Sequence, residues 1–327
     1  MTDTVNAATA KSVRANLCKA IESGKLRSVL PILGFVLIVA FFAIATGGRL
    51  VQPNNVRLIL NSTYVLLIAS IGVFMIMSMG SLDFSQGSMI GLSCIVVCEL
   101  SQTSLPLAIL GGIACGMVVG SINAYFHVRR QIPSFIVTIC MMFLVRGIVA
   151  YLTTNAPAMG AGYLQADLNT TGFLLPVTIA CLVAFYLVFT FTPLGATLKA
   201  VGAGQTAARF AGVSVARTKT LVYIAAGAIT GFAAFVLAIR NGSVTATGGS
   251  MLETQIMLAL VLGGLPISGG AKVRFSNIVV GVLTYCVLDR GLVMMGLQTD
   301  MKQFITGIVF LIFLALFSDR ESIQVIK

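Results

Sequence analysis

The chain has 327 residues, of which 57% are hydrophobic and only 9% charged, and its mean hydropathy is +1.00. Soluble domains carry about a quarter charged residues, so these values exclude a soluble protein and describe an integral membrane protein. The net charge of +11 implies no nucleic-acid role, because the cytoplasmic loops of membrane proteins collect Lys and Arg.

Residues 1–28 are polar and basic, and they form a cytoplasmic tail ahead of the first apolar run, 29–46, which is read as a retained anchor. A bilayer core needs about 20 mostly apolar residues in a helix. The runs 58–79, 105–126, 172–191 and 220–239 meet this plainly. The run 131–153 is long enough but holds Arg146 near one end, where the side chain can snorkel to the interface. Shorter runs at 88–98, 254–268, 275–288 and 303–317 complete a count of ten crossings, and short or Gly-interrupted segments are how broken helices of transporters look in sequence. The reading is an all-α polytopic protein with one transmembrane domain over 29–317, a large interior loop at 192–219, and a second cytoplasmic tail at 318–327.

Charge tests that count. With ten crossings and the N-terminus inside, 15 of the 21 basic residues fall on the cytoplasmic side and the ten acids divide evenly, as the positive-inside rule requires. Both termini are then cytoplasmic.

Gly112, Gly116 and Gly120 form two consecutive GxxxG spacings and Gly227 with Gly231 forms another; such faces let helix backbones approach closely in lipid. FIVTICMMFLVRG from Phe135 resembles FITGIVFLIFLAL from Phe304, and QGSMIGL from Gln86 is echoed by GGSMLETQIML from Gly248. Five crossings separate each pair, which suggests an inverted repeat of five-crossing halves.

The seven cysteines lack CxxC spacing and the single histidine is His127, so no metal site is expected. Cys94 and Cys98 are helical neighbours, read as small apolar packing. No phosphate loop, HExxH or catalytic triad is present, which describes a non-catalytic chain driven from elsewhere.

Two segments stand out. In Gly80 to Ser88, GSLDFSQGS, an acid and several hydroxyls interrupt an apolar stretch that otherwise runs from 58 to 98. They line a polar cavity, or Asp83 and Ser85 cap the next helix; both roles are compatible. The segment Gly202 to Thr220, GAGQTAARFAGVSVARTKT, is rich in Gly, Ala and basic residues and lies in the largest interior loop. From residue types alone, it is a basic loop that sets topology.

GSLDFSQGSMIGL resembles the membrane-subunit motif of sugar-type ABC importers, whose usual form reads GGIDLSVG; Ser81, Leu82 and Gln86 replace a glycine, the isoleucine and the valine. Ile132 to Thr138 with Met141, Met142, Arg146 and Gly147 resembles that family's IPxFIxTLGMM…RG segment. Thr192 to Gly195, Ala200 to Gly202, Ala207 to Arg209 and Gly212-Val213 resemble its TxxGRxxxAxGxNxxAAxxSGI loop, with Ala196, Gln205 and Ala211 where Arg, Asn and Ser are usual. Leu262 to Gly264 and Ser268 to Gly270 match its LGGxxxxGG pattern. The resemblance spans about residues 55–317.

The resemblance implies the permease subunit of a binding-protein-dependent importer in a bacterial inner membrane. Its expected partners are a separate ATPase that binds the ATP, a secreted sugar-binding protein, a second permease copy and membrane lipid. No cofactor is expected in this chain. The segment Gly202, Gly204, Gln205, Ala207, Ala208, Arg209, Phe210 and Gly212 becomes the expected ATPase contact. In this reading Gln205 to Ala211 form a short helix stopped by Gly212, Ala207 and Ala208 allow close approach, and Phe210 plugs an apolar pocket. Expected translocation or helix-break positions are Asp83, Ser85, Gly87, Ser88, Asn123, Pro133, Thr138, Gly263 and Gly264. The competing reading is an ion-coupled secondary transporter, with Asp83, Glu99, Glu253 and Asp289 as its acids.

Overall fold

The computed structural model describes residues 26–317, so residues 1–25 of the expected 1–28 tail, the expected 318–327 tail and Cys18 lie outside the described residues, while residues 26–28 already belong to the first helix. The described chain is helical almost throughout. In order the helices are α1 (Leu26–Ala45), α2 (Pro53–Ser78), α3 (Gln86–Ser101), α4 (Leu105–Ala124), α5 (Ser134–Leu152), α6 (Gly162–Ala166), α7 (Thr171–Phe191), α8 (Pro193–Ala203), α9 (Gln205–Phe210), α10 (Val215–Asn241), α11 (Leu252–Leu262), α12 (Ser276–Met294) and α13 (Thr299–Phe317). A short antiparallel pairing of β1 (Ala158–Met159) with β2 (Ser243–Val244) is the one departure from an all-α chain among the described residues.

Among the described residues six helices are long and apolar enough to cross a membrane: α2, α4 with its π-helical extension to Arg129, α5, α7, α10 and α12. The four remaining runs of the sequence reading also fold as helices, α1, α3, α11 and α13. Their bounds shift from those expected. The 254–268 run ends its helix at Leu262, because Gly264 takes φ 84° and Leu265 N donates back to Leu260 O at 3.1 Å, a glycine-stopped helix end. The 88–98 run lengthens to sixteen residues and the 275–288 run to nineteen.

α2 and α10 form the centre. In the apolar window of α2 83% of residues are buried, and in that of α10 67%, against 22% in α7 and 28% in α4 and α5. The glycine faces read from the sequence meet here: Gly116 packs on the backbone of Gly227, Gly112 on Gly231, and Gly120 on the carbonyl of Tyr223. A Cβ at Gly116, Gly120, Gly227 or Gly231 collides with backbone of the other helix, so the small residues are what allow α4 and α10 to touch.

Connections sort to two ends. At one end Gly270 N donates to Ser78 O at 3.2 Å, Gly202 packs on both residues, and Lys219 Nζ approaches His127 Nε2 at 3.3 Å. Since His127 Nδ1 faces the Ile132 carbonyl at 2.8 Å, that nitrogen carries the proton and Nε2 accepts from Lys219. At the other end Gln102 reaches Met159, Ala161 N reaches Ser101, and Gly160 N reaches Gly242 O. The first group belongs to the segments that charge placed inside, and the second to those placed outside.

Candidate functional site

The break before α3 turns a run of polar residues inward. Met79 and Gly80 close α2, with Gly80 at φ 71°, and residues 81–85 run without helix until Gln86. Asp83 is 1% exposed, and Ser85, Gln86 and Ser88 are equally buried. Asp83 Oδ1 accepts from Ser85 N at 2.8 Å and Ser85 Oγ at 2.6 Å, while Oδ2 accepts from Gln86 Nε2 at 2.7 Å. No cation pairs with it among the described residues, so these three donors and the positive N-terminal end of α3 are what face the buried carboxyl group. The capping role is thus filled by Asp83, through the Ser85 backbone; the Ser85 side chain caps nothing.

Three other helices join this loop. Asn123 of α4 donates from Nδ2 to Ser85 Oγ at 2.8 Å. Thr230, in the middle of α10, donates to Gln86 Oε1. Ser134 at the start of α5 accepts from Leu82 N at 3.2 Å, and Thr138 one turn later lies at the edge of bonding distance from Leu82 O, 3.5 Å. Pro133 precedes that turn as the extended N-cap. Asn123 Oδ1 is buried with no hydrogen-bond partner, so the cluster keeps an unused polar atom.

Gly87, the second residue of α3, stands where nothing larger fits: a Cβ there meets the Glu253 carboxylate and the Gly249 carbonyl. The two segments that echo each other in sequence, at 86 and at 248, therefore pack face to face. α3 and α11 are roughly 24 and 16 Å long, both short of the ~30 Å hydrocarbon core, and each follows a non-helical stretch. Glu253 Oε1 takes a 2.6 Å bond from Arg146 Nη2, and Oε2 has no partner. Arg146 is therefore engaged in an intramolecular ion pair, a partnership that its place near a run end had not suggested.

Gly263 and Gly264 do not join the cluster. Gly263 packs on the Asn277 carbonyl and Gly264 stops α11. Conversely, Thr230 and Ser134 escaped the sequence reading; the only signal was a hydroxyl within or just ahead of an apolar run.

The 192–219 loop folds into two short helices. Thr192 caps α8, its hydroxyl accepting from Leu194 N at 3.3 Å. α9 spans Gln205–Phe210, and Gly212 at φ 83° ends it, with Gly212 N donating to Arg209 O and Val213 N to Ala208 O, both at 3.0 Å. This is the stop expected from the sequence. Phe210 is 89% exposed, and Gln205, Ala207 and Arg209 are also exposed. Ala208 is 3% exposed: it faces its own chain, because it lies across the helix from the residues flanking it, and it is not free to meet a partner. Gly202 faces inward as well, against Ser78 and Gly270.

A polytopic helical protein with broken helices around a buried polar cluster, and an exposed aromatic turn at the basic end, has the architecture of a membrane transport subunit. The chain matches the family described as branched-chain amino acid transport system / permease component over residues 55–314, and it belongs to that family. Similar curated proteins include the L-arabinose ABC transporter permease protein AraH of Azospirillum brasilense, 32% identical over 85% of this chain and 84% of that one. The ribose import permease protein RbsC of Bacillus subtilis is 28% identical over 91% and 94%. The xylose transport system permease protein XylH of Escherichia coli is 25% identical over 89% and 92%. No solved structure matches the chain.

Proposed function

We propose that this chain is the membrane-spanning subunit of an ABC importer for a monosaccharide or related small polar solute. A separate ATPase drives it and a secreted binding protein delivers the solute. The names of the relatives, which specify L-arabinose, ribose and xylose import, support a monosaccharide. Ten crossings with both termini cytoplasmic, and an inverted repeat of five-crossing halves, fit the sorting of connections to two ends and the packing of the 86 segment against the 248 segment. A second permease copy completes the pathway.

The observation that carries the reading is α9. An isolated, 89% exposed phenylalanine on a six-residue helix serves no internal packing, and it suits insertion into an apolar pocket of a partner. Exposed Arg209 beside it supplies orientation. ATP hydrolysis in the partner moves α9, and α8 transmits this through Gly202 to the α2 end and the 268–270 turn that it touches. The polar cluster around Asp83 then lies where α2 gives way to α3, at the joint such a movement bends.

The test is co-purification with the ATPase and stimulated ATP hydrolysis in proteoliposomes. Phe210→Ala and Ala207→Glu are expected to abolish both while the binding protein still docks from the opposite face. Ala208→Glu is unsuitable, since it buries a charge within the permease itself. Uptake that runs without an ATPase would show an ion-coupled carrier instead.

A further inference from the structure

We propose that the groove between α2, α4, α7 and α10 holds an acyl chain of an anionic phospholipid from the leaflet on the α9 side, whose phosphate sits at Lys199 and Arg217. The groove is a cavity of about 450 Å³ with Ile71, Ile113, Ala184, Phe185, Ala228 and Phe232 among its walls. All four helices are long and apolar enough to span a membrane, so it opens sideways toward hydrocarbon. Small side chains on facing walls, Ala184 on α7 and Ala228 on α10, hollow it out. An apolar void left empty loses its dispersion contacts, and a polar solute finds no donor in the walls beyond the Cys181 thiol.

Dimensions and charge select the occupant. Ala225 to Phe232 extends about 10 Å along α10, a third of the ~30 Å hydrocarbon core, which suits part of one acyl chain. Toward the α9 end the same face of α10 continues through Thr218 and Leu221, the latter 66% exposed, with exposed Arg217 beside them. α8 supplies a wall residue, Leu194, and also Lys199, whose Nζ stands 5.1 Å from the Phe189 ring centroid, one residue beyond the wall residue Val188. An apolar slot whose walls on α8 and α10 continue toward Lys199 and Arg217, neither paired with a carboxylate among the described residues, complements a lipid with a net negative headgroup.

The chain contains no tryptophan, so a single introduced one reports on its surroundings alone. Phe232→Trp, in vesicles of phosphatidylcholine with brominated phosphatidylglycerol or brominated phosphatidylcholine as quencher, is expected to be quenched at up to about 30-fold less of the anionic lipid, at about 1 kcal/mol for each of the two cations. Leu187→Trp, on the outer face of α7, is expected to show no headgroup preference. Lys199→Gln with Arg217→Gln is expected to remove the preference at Phe232→Trp. Val188→Trp serves if Phe232→Trp does not insert. Equal quenching by both lipids would mean ordinary bulk lipid. Absence of quenching by either would mean a groove closed by protein, such as a second copy of the chain. Those two results, or a preference that survives loss of both cations, overturn the proposal.

Discussion

Arg146 on α5 donates a 2.6 Å hydrogen bond to Glu253 at the start of α11, across 107 residues of chain. The Glu253 side chain is 5% exposed and that of Arg146 33%. The carboxylate also lies in the first turn of α11 and against the first turn of α3, so two positive helix ends and one guanidinium surround it. The pair thereby holds the two helix breaks together.

Removing the cation leaves that carboxylate buried and unpaired. Arg146→Gln is expected to destabilise the protein by about 3 kcal/mol, the lower end for a buried pair because a third of the arginine is exposed. Adding Glu253→Gln is expected to recover part of the loss. Thermal unfolding of the detergent-solubilised variants, followed by size-exclusion chromatography, reads both; a double variant no better than the single one contradicts the ion-pair account. Arg146→Lys keeps the charge but shortens the reach, and an intermediate loss is expected.

Glycine contacts make a graded series. Gly116→Ala and Gly87→Ala each force a Cβ into backbone or carboxylate atoms, and both are expected to lower the yield of folded protein severely. Gly147→Ala, on an exposed position of α5 with nothing within 4 Å of the new atom, is expected to be neutral or stabilising by up to about 1 kcal/mol. Equal expression of all three rules out close backbone packing as the reason for the glycines.

Asp83 accepts three hydrogen bonds in a buried loop. Asp83→Leu leaves the Ser85 and Gln86 donors unsatisfied, at about 1–3 kcal/mol each, and is expected to abolish solute uptake while the chain still inserts. Asp83→Asn retains one acceptor and is expected to give partial uptake. Wild-type uptake by Asp83→Leu at normal expression would make the cluster dispensable for transport.

Orientation is read by labelling. On a background lacking the seven cysteines, Ala203→Cys is expected to react only with reagent applied from the cytoplasm, and Asp167→Cys only from outside. Both positions are exposed. Labelling of Ala203→Cys from outside intact cells reverses the proposed topology.

The positions of the apolar runs, the glycine seam and the stop at Gly212 were legible in the sequence, because span length, close backbone approach and left-handed φ are local demands that residue type answers directly. Asp83 announced itself for the same reason: a charge inside an apolar stretch needs a local explanation. Which face of each helix turns inward was not legible. In a bilayer both the lipid-facing and the buried sides are apolar, so the polar–apolar contrast that orients a helix in water is absent. Only the tertiary structure therefore decided that Ala208 points into its own chain, that Thr230 meets Gln86, and that Arg146 finds Glu253. The same limit hid the groove, whose walls come from helices distant in sequence and whose alanines look, one at a time, like any other small residue in a membrane helix.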